Sequence, residues 1–371
     1  MPRARDGRPS RRCDAVLRVL EDQRVRAADA LPEGVAYYYA SGSGDEETLG
    51  EAEAAWRSFR LRPRPLRDVS TVDLSTRLLG ASLASPLGVA PSAFHRLAHP
   101  DAEAATARAT GDAGGLFVLS TRSSLPLEDV AAAATGPWWF QVYVMRDRDL
   151  TARVVERAAA AGAGALVLTG DTPYVGIKKG LQGTRIDLPE DHFLVNLRQH
   201  LAPGADSAHA ASQDPSITLE TIAWLREVSG LPVLVKGVLR GDSAVECLDA
   251  GAAGVLVSTH GGRQLDRAVP SALALAEVVD AVDGRGLVLV DGGIRSGVDV
   301  LTALALGADA ALLGRPALWA LAAGGQDGVR RCLEAVRDDL AHAAALAGCA
   351  RLSDVDRTLV APAPNQHHRL S

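Results

Sequence analysis

The sequence predicts an α/β protein built as a closed (β/α)8 TIM barrel, with an N-terminal helical segment and a long loop after strand 4. From residue 86 of the 371-residue chain, short apolar runs alternate with stretches rich in Ala, Glu and Arg. There are eight such runs, the number that a closed barrel of this kind needs. Their uniformly apolar character is typical of parallel strands buried on both faces. A doubly wound open sheet is the alternative, although it would not require eight units.

The elements follow one another in a regular order. The predicted strands are Leu87–Ala90, Leu116–Leu119, Trp139–Val144, Ala165–Leu168, Val233–Val235, Gly254–Val257, Leu287–Val290 and Ala310–Leu313. The predicted helices between them are Asp101–Ala113, Leu150–Ala161, Leu219–Val228, Asp242–Ala250, Ser271–Val282 and Val298–Leu306. Cys13–Leu31 and part of residues 45–80 are predicted to be helical ahead of the barrel, and Gln326–Gly348 is predicted to close it. The connection Asp171–Ser216 is long enough to be a lid or a binding loop.

These elements predict one domain over residues 14–360. Residues 1–13 are basic, lack a following apolar segment of signal-peptide type and are expected to form a disordered tail. Residues 361–371 are expected to be a flexible C-terminus.

Composition excludes several classes of function. The net charge of −6 gives no footprint for nucleic acid, and no apolar run reaches the roughly 20 residues that span a bilayer. The four cysteines show no metal-binding or disulfide spacing, so we expect reduced thiols and a cytoplasmic location. Only three of the 39 basic residues are lysines, namely Lys178, Lys179 and Lys236, so arginine is the usual cation of this chain.

Polar side chains follow the predicted strands where each strand ends. In a barrel the active site is built at these carboxyl ends, so we expect them to share one rim. The predicted rim carries Pro91, Ser92, Ser120, Gln141, Tyr143, Thr169, Asp171, Lys236, Ser258, His260, Arg263, Asp291, Gly292, Gly293, Arg295, Gly314 and Arg315. A base, carboxylates and several cations on one rim predict a catalytic site.

The last two strands end in a pattern suited to an anion. Glycines there let backbone N–H groups approach a phosphate, and Arg295 and Arg315 can pair with its oxygens. Lys236, at the end of the fifth strand, is suited to hold negative charge on a cofactor ring. The sequence therefore predicts a cofactor that carries a phosphate and accepts charge.

The fourth and sixth strands predict a base and a clamp for a carboxylate. His260 can take up a proton, and Asp171 can orient the imidazole and stabilise its cationic form. Arg263 can hold a carboxylate. On the residues alone, a phosphate-binding isomerase or aldolase-type barrel that uses Lys236 to form a Schiff base is also possible.

Several motifs together resemble one family over roughly residues 15–360. These motifs are YYASGSGDEETL, APSAFHRLAHPDAE, FQVYV, LTGDTP, LVKGV, STHGGRQLD, DGGIRSGVDV and LGRP. Their order and spacing resemble the FMN-dependent 2-hydroxy acid oxidases and dehydrogenases, which oxidise glycolate, lactate or mandelate. The resemblance implies FMN as cofactor, a small 2-hydroxy acid as substrate, O2 or another electron acceptor, and a homo-oligomer, commonly a tetramer.

The resemblance also implies roles for individual residues. His260 would remove the hydroxyl proton while the α-hydrogen leaves as hydride, with a carbanion route as the alternative, and Asp171 would stabilise the imidazolium. Tyr143 would stabilise the substrate oxygen, and Tyr38 and Arg263 would contact the carboxylate. The residues implied to hold FMN are Ala90, Pro91, Ser92, Ala93, Ser120, Gln141, Thr169, Lys236, Ser258, Asp291, Gly292, Gly293, Arg295, Gly314 and Arg315.

Three positions depart from the family pattern. Thr259 replaces the Asn of the SNHG motif, and Arg122 replaces the aromatic residue two positions after Ser120. Lys178 replaces a second arginine that binds the substrate carboxylate. Arg122 and Lys178 are therefore expected to shape the substrate site, and we expect a substrate larger than glycolate or lactate, mandelate-like or otherwise atypical.

The resemblance leaves two further functions as alternatives, and they fit it unequally. A flavin-dependent tailoring enzyme could act on a hydroxy acid bound to a carrier. A non-catalytic flavin-binding protein fits poorly, because the implied catalytic residues are all present. From the sequence we expect neither an N-terminal haem domain nor an apolar membrane insert in the long loop.

Overall fold

The computed structural model describes residues 12–181, 194–198 and 212–362. Eight parallel strands close into a barrel in the order β10-β11-β4-β5-β6-β7-β8-β9, which confirms the predicted fold class. The barrel strands are β4 (Leu87–Val89), β5 (Leu116–Ser120), β6 (Trp138–Val142), β7 (Leu166–Thr169), β8 (Val233–Val238), β9 (Gly254–Val257), β10 (Leu287–Asp291) and β11 (Ala310–Leu313). Every predicted strand is present, with bounds that agree to within three residues.

A helix follows each barrel strand. These helices are α4 (Ala102–Asp112), α5 (Leu127–Ala133), α6 (Arg148–Ala160), α7 (Glu220–Ser229), α8 (Gly241–Asp249), α9 (Ser271–Val282), α10 (Gly297–Ala305) and α11 (Arg315–Ala347). The sequence does not predict α5, because seven residues are too few to show a helical period. The predicted helix Gln326–Gly348 agrees with the second helical segment of α11, whereas the first segment, which begins at Arg315, is not predicted. The pair Gly324–Gly325 resembles a helix end but makes a kink within the longer helix.

Three helices precede the barrel: α1 (Arg12–Ala30), α2 (Glu33–Ala40) and α3 (Glu47–Trp56). Helix α1 begins inside the segment that was expected to be a disordered tail, and it packs along α11. Gln23 in α1 donates a 2.8 Å hydrogen bond to the carbonyl of Gly328. The sequence does not predict helix α2, which carries three consecutive tyrosines, Tyr37, Tyr38 and Tyr39. Residues 1–11 lie outside the described residues.

Two short antiparallel pairs complete the structure. Strand β1 (Phe59–Leu61) pairs with β12 (Val360–Pro362), so the described chain keeps regular structure two residues beyond the predicted domain end. Residues 363–371 lie outside the described part. Strands β2 (Thr76–Leu78) and β3 (Ala81–Leu83) form a hairpin. Leu78 and Leu83 from this hairpin belong to the buried cluster that fills the barrel interior.

Alternation along the strands separates two cores. In β5, Leu116 and Val118 join the interior cluster, whereas Phe117 and Leu119 join the cluster between the barrel and its helices. Both faces are buried because successive side chains point to opposite sides of a strand. This explains why the strand sequences are uniformly apolar.

Three further expectations concern the cysteines, membrane-spanning segments and the predicted lid. Within the described residues, Cys247, Cys332 and Cys349 are buried free thiols. No helix in the described ranges is long and apolar enough to cross a membrane. Most of the predicted lid between Asp171 and Ser216 lies outside the described residues.

A buried carboxylate joins two loops of the barrel rim. Glu103, at the start of α4, is fully buried. It accepts hydrogen bonds from the backbone N–H of His95 at 3.0 Å and of Ser124 at 2.8 Å, and also from the Ser124 hydroxyl. His95 lies in the loop after β4 and Ser124 in the loop after β5, so Glu103 fixes these loops relative to each other.

We expect Glu103→Gln to lower the free energy of unfolding by about 2 kcal/mol, because an acceptor-only carboxylate that serves three donors is replaced by an amide. Glu51→Gln, on the exposed face of α3, is the matched control and should change stability by less than about 0.5 kcal/mol. Urea unfolding of both variants measures the difference, and equal midpoints would contradict the role assigned to Glu103.

Candidate active site

A cavity of about 730 Å³ opens at the carboxyl ends of the barrel strands. Most residues predicted from the strand ends lie on its wall, so the fold brings them together. The predicted residues that line it are Tyr38, Ala90, Pro91, Ser92, Ala93, Ser120, Arg122, Tyr143, Lys236, His260, Arg263, Asp291, Gly292, Gly293, Arg295, Gly314 and Arg315. The predicted residues outside the wall are Gln141, Thr169, Asp171, Lys178 and Ser258.

The loop after β9 has an unusual backbone. His260, Gly261 and Gly262 are three consecutive residues with positive φ, at 55°, 66° and 71°. This region suits glycine, and a histidine adopts it only where the surroundings hold it there. A Cβ on Gly261 would lie 2.8 Å from Nη1 of Arg315, and one on Gly262 would lie 2.8 Å from the backbone N of Leu49. The two glycines therefore allow α3 and α11 to approach the loop closely.

This loop places the imidazole of His260 between two partners. Its Nδ1 lies 3.0 Å from Oδ1 of Asp171, and its Nε2 lies 3.3 Å from the hydroxyl of Tyr143. Because an ionised carboxylate can only accept, Nδ1 carries the proton and Nε2 keeps its lone pair. Nε2 is thus the basic atom on the cavity wall.

The surroundings keep this histidine neutral. Burial and the charge of Lys236 lower the pKa of His260, and they outweigh the opposing effect of Asp171. Burial acts to raise the pKa of Asp171, but the charges of His260 and Lys236 together with two hydrogen bonds lower it to about 2. Burial raises the pKa of Tyr143, so its hydroxyl remains a hydrogen-bond donor. At neutral pH the three groups form a neutral base, an anion and a donor.

Lys236 lies at the end of β8 and is only 3 % exposed. Its Nζ donates to the Ser258 hydroxyl at 2.8 Å and lies 3.6 Å from Oδ2 of Asp291. The Ser258 hydroxyl in turn donates to Oδ1 of Asp291 at 2.6 Å and accepts from the His260 backbone N–H at 3.0 Å. The chain of bonds holds a buried cation against the wall of the cavity.

A second chain of bonds crosses three neighbouring strands. The Gln141 amide donates to the Thr169 hydroxyl at 2.8 Å and accepts from the Ser120 hydroxyl at 3.1 Å. All three side chains are buried, and Ser120 reaches the wall of the cavity. Gln141 and Thr169 therefore orient a polar group that faces the cavity.

Arg263 and Tyr38 lie on the side of the cavity that is predicted to bind the substrate carboxylate. The guanidinium of Arg263 lies 4.8 Å from the centre of the Tyr38 ring, and its Nη1 donates to the carbonyls of Tyr38 and Ser41 at 2.7 and 2.8 Å. Lys178 does not line the cavity, and its Nζ donates to the Gly176 carbonyl at 3.1 Å. Burial and the charge of Arg263 lower the pKa of Lys178 to about 8.

The opposite side suits a phosphate. Arg295 contacts Glu53 at 2.9 Å and lies over the Trp319 ring. Gly314 precedes α11, and a Cβ built on it would meet no atom within 4 Å, so space is open beside the helix N-terminus. Burial and the charges of Arg263 and Arg295 lower the pKa of Arg315 to about 9, although Glu46 and Glu53 act in the opposite direction. A phosphorylated cofactor fits this side of the cavity.

Arg315 has a second task that the sequence did not reveal. It donates to the carbonyls of Tyr39, Ser41 and Gly261 at 2.8 to 3.0 Å, and so fastens the α2–α3 segment to the barrel. Other residues on the wall were also missed, namely Tyr39, Phe94, Arg146, Pro173, Tyr174, Val175, Leu194, Ser212, Gln213, Gly261, Ile294, Leu312 and Leu318. Some of these lie only a few residues beyond a strand end, and reading further into each loop could have found them.

Known proteins are similar to this chain over most of its length. The family model described as FMN-dependent dehydrogenase matches residues 27–362. An L-lactate oxidase from Nostoc sp. is 44 % identical, with 87 % of this chain and 92 % of the relative covered. The 2-hydroxyacid oxidase 1 of Homo sapiens is 41 % identical, with coverages of 93 % and 96 %.

Solved structures point the same way. A crystal structure of a mandelate oxidase superposes with a TM-score of 0.85 at 42 % identity, covering 91 % of this chain and 96 % of that chain. The residues 27–362 that match the family model include all eight barrel strands. The chain belongs to the FMN-dependent dehydrogenase family, whose members include 2-hydroxy acid oxidases that act on CH–OH groups, and its cofactor is FMN.

Proposed function

We propose that this enzyme oxidises an (S)-2-hydroxy acid to the 2-oxo acid, with His260 as the base and with O2 or another acceptor taking the electrons. The observation that carries the proposal is the geometry of His260, whose Nδ1 is held by Asp171 and whose Nε2 faces Tyr143 on a cavity wall that also contains Arg263. A positioned neutral base beside a cation suits a substrate that bears both a hydroxyl and a carboxylate.

The chain's own groups account for the movement of the proton. Arg263 binds the substrate carboxylate and so places the 2-hydroxyl near Nε2 of His260. That nitrogen accepts the hydroxyl proton, and Asp171 stabilises the imidazolium that results. Tyr143 donates a hydrogen bond to the same oxygen as its bond to carbon becomes a carbonyl. When bound, FMN supplies the acceptor for the hydride that leaves the α-carbon.

The residues that would hold FMN fall into three groups. Arg295, Arg315 and the backbone at Gly314 would bind its phosphate. The buried pair Lys236 and Asp291 would lie beside the ring and the ribityl chain. Ala90, Pro91, Ser92 and Ala93 with Ser120, Gly292 and Gly293 would complete the walls. The family assignment replaces the Schiff-base role considered for Lys236, whose Nζ is engaged by Ser258.

Three features of the proposal extend beyond the chemistry. A substrate larger than glycolate or lactate is supported by Arg122 on the cavity wall in place of an aromatic side chain. A cytoplasmic location is supported by the free buried thiols, and a homo-oligomer, a tetramer by family, remains a prediction.

Anaerobic mixing with a panel of 2-hydroxy acids, followed by flavin absorbance, tests the function. Bleaching of the flavin absorbance is expected, and no bleaching by any member of the panel would overturn the proposed function.

We expect His260→Gln to keep FMN bound and to slow flavin reduction by roughly 10²- to 10⁴-fold, because the proton acceptor is lost. His99→Gln, a histidine outside the cavity wall, is the control and should keep the wild-type rate. Stopped-flow absorbance gives both rates, and near wild-type reduction in His260→Gln would rule out the assignment of the base.

The phosphate site predicts that Arg295→Ala weakens FMN binding by roughly 10- to 100-fold, since a charge-assisted pair is removed. Riboflavin lacks the phosphate and should lose much less affinity in the same variant. Quenching of flavin fluorescence measures both dissociation constants. Arg315→Ala is expected to weaken both ligands, because Arg315 also fastens the α2–α3 segment; equal losses in Arg295→Ala would instead contradict its phosphate role.

The lowered pKa of Lys178 leads to a prediction about how KM depends on pH. Its pKa of about 8 means that the ammonium charge is present below that pH and is lost above it. If Lys178 assists Arg263 in holding the carboxylate, KM rises above pH 8 in the wild type but not in Lys178→Arg, which stays charged. Steady-state kinetics at pH 7 and 9 with glycolate, lactate and an aryl 2-hydroxy acid provide the comparison. Efficient turnover of glycolate or lactate, unchanged in Lys178→Arg, would show that the substitution is neutral.

A further inference from the structure

The cavity wall carries more positive charge than the proposed reaction uses. Within the described part of the chain, its lining holds six cationic side chains and one carboxylate, Asp291. FMN phosphate accounts for Arg295 and Arg315, the cofactor ring for Lys236, and the substrate carboxylate for Arg263. Two cations on the wall, Arg122 and Arg146, have no role in that scheme.

These two arginines come from adjacent strands. Arg122 lies two residues beyond the end of β5, and Arg146 lies four residues beyond the end of β6. Arg122 shares the cavity wall with Tyr38 and Tyr143, the two tyrosines proposed to contact the substrate. Burial lowers the pKa of Arg122, and the two tyrosines act in the opposite direction. Arg146 is exposed on the same wall. They are therefore placed on the substrate side of the cavity, away from the phosphate side.

The backbone of Arg122 is held rigidly. Its N–H donates to the Ser120 hydroxyl at 3.1 Å, and its carbonyl accepts from the Phe94 N–H at 3.1 Å. Two residues later, Ser124 is bound by the buried Glu103. A cation on a pre-ordered loop loses less conformational entropy when it binds a ligand, and so it discriminates more sharply between ligands.

We propose that the substrate is a 2-hydroxy acid with a second anionic group, and that Arg122 binds this group with Arg146 near it. The inference rests on the proposed function and names its substrate class. A dicarboxylic 2-hydroxy acid satisfies both ends of the site, since Arg263 takes the carboxylate next to the hydroxyl and Arg122 takes the distal one. A distal carboxylate can form a charge-assisted pair with Arg122 on this wall, which a neutral aliphatic or aryl chain cannot do.

Pairs of substrates that differ only in the distal carboxylate provide the test. The holoenzyme is mixed anaerobically with (S)-2-hydroxyglutarate or (S)-2-hydroxyvalerate, and with (S)-malate or (S)-2-hydroxybutyrate, and the second-order rate constant of flavin reduction is measured in each case. (S)-Mandelate represents an aryl substrate. We expect at least one diacid to exceed its matched monoacid by roughly 10- to 100-fold, the effect of one hydrogen-bonded charge. The ratio should decrease at high salt.

Variants assign this preference to Arg122. In Arg122→Leu the diacid to monoacid ratio should fall close to one, and in Arg122→Lys it should be partly retained. Arg96→Leu is the matched control, because Arg96 is an exposed arginine in the preceding rim loop and outside the cavity wall, and it should keep the wild-type ratio. FMN content of each variant confirms that the holoenzyme forms.

The outcomes separate this inference from the function on which it rests. Flavin reduction by monoacids or mandelate with no preference for either diacid would overturn the substrate class and leave the oxidation of 2-hydroxy acids standing. A diacid preference that survives unchanged in Arg122→Leu would overturn the role of Arg122. Failure of every hydroxy acid to reduce the flavin would overturn the proposed function itself.

Discussion

The left-handed backbone at His260, Gly261 and Gly262 is the constraint on which the site depends. It turns the chain sharply at the end of β9, so that the imidazole lies between Asp171 and Tyr143. The same turn presents the carbonyls of Gly261 and Gly262 to partners outside the barrel. Arg315 donates to the first, and Ser43 donates its backbone N–H to the second at 2.8 Å. One strained turn therefore sets the position of the base and of the α2–α3 segment that covers the site.

The cations show how a barrel rim can be divided into compartments. Arg295 and Arg315 lie on the side formed by β10, β11 and α11, whereas Arg122 and Arg146 follow β5 and β6 on the other side. Placing like charges in one cavity is costly unless anions arrive to balance them. A phosphate and carboxylates would supply those anions at opposite ends, so charge can orient the cofactor and the substrate without a large number of specific contacts.

Arg315 illustrates why one residue can resist a single interpretation. Its position after the last strand predicts that it binds a phosphate, and the structure places it on the cavity wall. Its hydrogen bonds to Tyr39 and Ser41 also make it a bracket for the preceding helices. Comparing FMN with riboflavin separates these roles, because only one of the two ligands carries the phosphate. The same reasoning applies to Glu103, which is remote from the chemistry and yet fixes the loop that carries Arg122.

The sequence by itself determined the barrel, its eight strands and most of the rim, because apolar strands buried on both faces and polar strand ends are local patterns. It did not predict helix α5, the first segment of α11 or helix α2, because these helices are too short to show a clear helical period. Only the tertiary structure decided that Lys178 lies outside the cavity wall and that Arg146 lies on it. Those facts depend on how loops from different strands pack together, and residue spacing along one chain carries no information on that packing.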